Sequence, residues 1–128
     1  LPRDFAVKVY TDQYWFKPGF HRVAQHSERL AERMMDCGVN MGPAQSTMFL
    51  QRAMNVLGNA NLKVDGQCGP ATIGAIGAYF RERPGKAGET VLVKAFNSLQ
   101  GYRYIELAEQ RQQNRRFVYG WFAHRIWL

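Results

Sequence analysis

The chain has 128 residues, with 17 Lys+Arg against 10 Asp+Glu and a formal net charge of +7. That length suits one domain with its own core, and a content of 46% hydrophobic and 13% aromatic residues excludes a disordered tail. No apolar run approaches the ~18–20 residues of a membrane span, Arg3, Asp4, Lys8 and Asp12 argue against a signal peptide, and two cysteines exclude a disulfide framework or a Cys-rich zinc site.

The dominant period along the chain is helical. Leu30, Met34 and Cys37 recur at spacings of four and three, and so do Leu50, Met54 and Leu57. Ile73, Ile76 and Phe80 repeat the pattern, followed by Leu92, Phe96 and Leu99, then Phe117, Trp121, His124 and Leu128. Strict alternation over a strand's length is missing. The spacing predicts helices near 3–15, 27–38, 43–57, 70–83, 89–111 and 115–128. Ser27 is placed to cap the second, because its hydroxyl can accept from an otherwise unpaired backbone N–H. Pro43 and Pro70 follow glycines and open the third and fourth, since proline's missing N–H is not needed at a helix start. Gly38 and Gly58 mark expected helix ends, and Asn114 is an expected cap for the last helix. The fold class is therefore all-α, a bundle of about six helices in one domain spanning 1–128.

The one long polar connection runs from Gly58 to Gly69 and is rich in turn formers. Asn59, Asn61 and Asp65 bear a superficial likeness to a calcium loop, but Lys63 and the lack of a closing glutamate argue against cation binding. Histidines 21, 26 and 124 show no metal-ligand spacing, and no cofactor is implied. His124 lies on the apolar stripe of the last helix and is expected in the core. Cys37 and Cys68 are expected as buried thiols, with a disulfide the alternative in an oxidising compartment.

Positive charge has several readings, since nucleic acid, anionic lipid and an acidic wall polymer are attracted by the same field. The densest cluster is Arg111, Arg115 and Arg116. No helix-turn-helix signature accompanies it, so nucleic acid is the weaker reading.

Two motifs carry more information. The first is Asp36-Cys37-Gly38-Val39-Asn40-Met41-Gly42-Pro43, leading into Phe49-Leu50-Gln51-Arg52-Ala53. The second is Val64-Asp65-Gly66-Gln67-Cys68-Gly69-Pro70-Ala71-Thr72. With Tyr14-Trp15 before them, and Ala95-Phe96-Asn97, Tyr102-Arg103 and Gly120-Trp121 after, they resemble the C-terminal, peptidoglycan-binding half of glycoside hydrolase family 108. That family comprises muramidases of the secretion-activator and phage-endolysin type. The resemblance implies a lysozyme-like helical subdomain acting at the bacterial cell wall, with the glycan strand as partner. It also implies a catalytic glutamate in a Glu-Gly-Gly-Tyr segment, which this chain does not contain, so that an upstream segment would supply the acid. No catalytic residue is therefore assigned within the chain.

Candidate substrate-binding residues are Tyr14, Trp15, Asp36, Asn40 and Asp65. Aromatic faces stack on pyranose rings, and carboxylate and amide groups suit sugar hydroxyl and acetamido groups. Each also has a structural explanation. Tyr14 and Trp15 can fill a core, Asp36 can pair with Arg33, Asn40 can cap the Gly42-Pro43 helix start, and Asp65 can make a turn. Glu28, Glu32 and Asp36 share one helix face with Arg29 and Arg33 beside them, which reads as a solvated, ion-paired surface. Trp121 is expected in the core, and Trp127, six residues on, falls on another face.

Overall fold

The computed structural model describes residues 3–126. Seven α-helices follow one another among them: α1 Arg3–Thr11, α2 Phe20–Ala24, α3 Glu28–Met41, α4 Pro43–Leu57, α5 Pro70–Glu82, α6 Gly85–Gln110 and α7 Arg115–Arg125. A π-helical turn, Asp12–Phe16, follows α1, and a 3₁₀ turn, Gln112–Asn114, precedes α7. There is no strand among the described residues. The molecule is all-α, as its periodicity requires.

The helix starts follow their local chemistry. Ser27 caps α3, its Oγ accepting from the Leu30 N–H at 3.0 Å while donating to Glu89 at 2.7 Å. Pro43 and Pro70 each sit at the first turn of their helices, behind Gly42 and Gly69. Elsewhere the boundaries differ from expectation. The first predicted helix breaks into α1 and the π turn, and Phe20–Ala24 adds a short helix. Gly38 does not end α3, which runs on to Met41; its bare Cα instead lets Phe20 and Pro43 approach to 3.4 Å of where a Cβ would stand. Asn114 makes no cap bond to α7; its amide donates to the Leu107 carbonyl at 3.3 Å, closing the end of α6.

The core is one continuous cluster drawn from α2 through α6. Phe20, Val23, Leu30, Met34, Cys37, Leu50, Met54, Ile76, Leu92 and Phe96 have no exposed surface at all. Each such side chain contributes about 1.5–3 kcal/mol relative to exposure. The most extensively packed pairs are α3–α4, α2–α3 and α4–α6. Helix α7 adds no buried residue; Trp121 stacks on the buried Tyr104 ring at 5.0 Å and is half-buried. His124 is exposed rather than in the core, because it lies at the last turn of α7, beyond the Trp121 contact with Tyr104. Trp127 and Leu128 lie outside the described residues.

A buried polar cluster crosses the centre. Arg33 is fully buried, although its spacing from acidic residues suggests a solvated surface. Its guanidinium donates to Asn97 at 3.0 Å, Gln100 at 2.6 Å and Asp36 at 3.1 Å. Gln100 in turn donates to the Tyr104 hydroxyl at 3.0 Å. Arg29 reaches Thr90 at 3.2 Å rather than Glu32. The planar fork of Arg33 thus joins α3 to α6 through bonds no lysine could reproduce.

Candidate functional site

The polar connection after α4 has little regular structure, so its backbone groups need partners from elsewhere. Two amide side chains one turn apart on α4 supply them. Asn55 exchanges a pair of bonds with Leu62, donating to its carbonyl at 2.9 Å and accepting from its N–H at 2.7 Å. Gln51, only 1% exposed, donates to the Asp65 carboxylate at 3.0 Å, the Gln67 carbonyl at 3.1 Å and the Thr72 hydroxyl at 3.1 Å. Its oxygen accepts from the Gly66 N–H at 3.0 Å. The Leu-Gln-Arg-Ala motif and the Val-Asp-Gly-x-x-Gly-Pro-x-Thr motif are therefore one structural unit.

Asp65 and Gly66 make the turn itself. The Asp65 carboxylate accepts from the Gln67 N–H at 2.9 Å, closing an Asx turn. The bonds from Gln51 and Gln67 hold this carboxyl below its ordinary pKa of 3.8. Gly66 has φ +76°, and a Cβ there would stand 3.1 Å from both the Cβ and the carbonyl oxygen of Ala44. Only glycine fits without strain.

This braced loop is one wall of the largest cavity, an open cleft of about 590 Å³. The π turn forms a second wall through Gln13, Tyr14, Lys17 and Pro18. The α3–α4 junction forms the third through Gly38, Val39, Gly42, Pro43 and Thr47, facing Gly66, Gln67, Cys68 and Gly69. Both sequence motifs and Tyr14 thus converge on one cleft, although more than fifty residues separate Tyr14 from Cys68. Gly19, with φ +89°, brings the π turn against the loop: a Cβ there would lie 3.1 Å from the Cys68 carbonyl oxygen.

The candidate residues divide. Tyr14 lines the cleft, and its ring packs on Tyr10 at 5.0 Å. Trp15 packs partly buried against the core. Asp36 is held by Arg33 and stays 39% exposed at its side chain. It lies close enough to help raise the Tyr10 pKa, after burial and Tyr14. Asn40 follows one turn later on α3, half-buried, and does not cap α4, whose start has Gly42 and no side-chain cap. Asp65 braces the loop from its far side, where it lines a smaller cavity with Gln51 and Thr72. The residues that sequence reasoning missed are Lys17, Thr47 and Gln51. Gln51 and Asn55 shared a detectable signal: two amides at spacing four near the end of α4, preceding a long polar loop.

Among the described residues, no carboxylate lines the cleft. Its one thiol, Cys68, is pushed up to about 11 by burial, and Cys37 up to about 12 for the same reason. Both cysteines are free and buried, so neither is a thiolate nucleophile near neutral pH.

A family model described as a predicted peptidoglycan domain matches residues 45–126. A second, described as glycosyl hydrolase 108, matches residues 1–42. No curated protein matches the chain.

Proposed function

The chain belongs to the predicted peptidoglycan domain family, and from that premise we propose that its 590 Å³ cleft is where the glycan strand is held. The protein is of the cell-wall-degrading muramidase type, with glycoside hydrolase 108 sequence leading into the peptidoglycan domain. The observation that carries the cleft assignment is convergence. The π turn belongs to the glycosyl hydrolase match, the Gly66–Gly69 loop belongs to the peptidoglycan match, and the two face each other across one cavity.

In this reading Tyr14 offers its ring to a pyranose face, while Asp36 and Asn40, on one face of α3, extend the site beyond the cleft mouth. Trp15 and Asp65 act indirectly, Trp15 by seating the π turn on the core and Asp65 by fixing the loop. The chain binds wall polymer and a preceding segment supplies the acid that cleaves it. Glycoside hydrolysis needs a protonated carboxylic acid beside the scissile oxygen, and among the described residues no carboxylate lines this cleft. The site of action is the bacterial cell wall. Among the described residues, no helix is long and apolar enough to cross a membrane.

Co-sedimentation with purified, insoluble peptidoglycan tests the binding. The chain is expected in the pellet, and Tyr14→Ala is expected to release a large share of it while leaving the helical spectrum unchanged. Clearing of a wall suspension by this chain alone would overturn the division between binding and cleavage. A wild-type chain that stays in the supernatant would overturn the binding itself.

A further inference from the structure

The chemistry lining the cleft points beyond a neutral sugar. Lys17 is the one charged side chain in its walls and makes no ion pair among the described residues. Across from it, Thr47 is 1% exposed, lines the cleft and has no hydrogen-bond partner among the described residues. Its hydroxyl can therefore bond a ligand or water that enters the cleft. Two long helices, α4 and α5, also begin at the cleft, at Gly42–Pro43 and at Gly69–Pro70, and neither carries a side-chain cap. Their positive ends add to the Lys17 field. No acidic side chain among the described residues lines the walls: Asp36 turns to Arg33, Asp65 to Gln51, and Asp12, whose carbonyl accepts from the Lys17 N–H at 2.8 Å, is not among the lining residues.

We propose that the cleft reads a carboxylate on the wall polymer, with Lys17 as its ion partner, Thr47 as a hydrogen-bonding partner and Tyr14 as the wall for the attached sugar ring. This rests on the peptidoglycan reading above and makes it more specific. Peptidoglycan bears carboxylates on its stem peptides, and on the lactyl ether of muramic acid wherever no peptide is attached. Both offer the same chemistry to Lys17. A homopolymer of N-acetylglucosamine has the ring and the acetamido group but no carboxylate.

Three ligands separate the cases for the full chain: intact peptidoglycan, glycan strands stripped of peptide by an amidase, and chitin. The amidase hydrolyses the lactyl–peptide amide, so stripped strands carry a free lactyl carboxylate at each cleaved site and none of the peptide acids, which distinguishes the two sources. Binding to intact peptidoglycan at least roughly tenfold tighter than to chitin is expected, as is a roughly tenfold loss on peptidoglycan for Lys17→Gln with none on chitin. Lys17 is exposed, so this variant should fold normally, and its circular dichroism checks that. If stripped strands bind as well as intact polymer, the lactyl group is the one read; if they bind like chitin, the stem peptide is. Either result supports carboxylate recognition. Equal affinity for chitin and peptidoglycan, or an unchanged Lys17→Gln, overturns it while leaving peptidoglycan binding intact. Failure of the wild type to bind intact peptidoglycan would instead bring down the broader reading.

Discussion

At the scale of single residues, Gln51 is the side chain on which the cleft loop depends. It is nearly fully buried and joins four partners, three of them on the Asp65–Thr72 stretch through its amide nitrogen and one through its oxygen. Gln51→Ala leaves the Gly66 N–H and the Thr72 hydroxyl short of a partner and opens a small void. The expected cost is about 1–3 kcal/mol, read as a lower denaturant midpoint. Peptidoglycan binding should fall further than stability, because the loop is a wall of the cleft. The Asp65 carboxylate adds a pH dependence whose sign is set by its lowered pKa. A carboxyl that is more acidic in the folded chain than in the unfolded chain stabilises above the unfolded value and loses that contribution as pH falls through the folded one. The stability gap between wild type and Asp65→Ala should therefore be constant above about pH 4 and narrow in stronger acid. Denaturation curves between pH 2 and 7 measure it; a gap that widens in acid would contradict the assignment.

At the scale of elements, α3 and α6 are joined by a polar clasp inside an apolar core. Replacing Arg33 with Met keeps the volume and removes every donor, leaving Asn97, Gln100 and Asp36 to find other partners. The buried amides carry most of the penalty, about 2–5 kcal/mol. Thermal unfolding should show it as a Tm lower by at least about 10 °C, and a fall of only one or two degrees would mean that the clasp is not load-sharing. This clasp also marks the limit of what periodicity reveals. The apolar stripes of α3, α4, α5 and α6 were legible because each repeats at three and four, and the Gly-Pro starts were legible because proline chemistry is local. Arg33 was not, since Asp36 at spacing three offers it an ordinary surface ion pair and its buried partners come from α6, more than sixty residues away. The π turn was equally hidden. Tyr14 and Trp15 prolong the α1 pattern in sequence, yet Gly19 is drawn against the Cys68 carbonyl and turns the chain there. The cleft itself was half legible: its motifs were visible singly, and their meeting depended on Gln51 and Gly19 acting across the fold.

At the scale of the whole molecule, the boundary between the two family matches, near residues 42–45, is no boundary in the packing. It falls at the tight α3–α4 junction, the most extensively packed helix pair in the molecule. Phe20, Val23, Leu30, Met34 and Cys37 come from the glycosyl hydrolase side, and all five are fully buried against residues of the peptidoglycan side. At about 1.5–3 kcal/mol for each large buried side chain, their loss amounts to roughly 8–15 kcal/mol. That is as much as the whole ~5–15 kcal/mol by which a domain of this kind exceeds its unfolded state. A fragment from Pro43 to Leu128 should therefore keep helical signal but lose its cooperative thermal transition and bind a hydrophobic dye. The full chain should unfold in one transition, with calorimetric and van't Hoff enthalpies in agreement. A sharp transition in the fragment would show that the peptidoglycan side carries its own core. Its failure would mean that the last helices of the glycosyl hydrolase segment are the floor on which the peptidoglycan domain is built, so that the +7 cleft-bearing surface exists only when both are present.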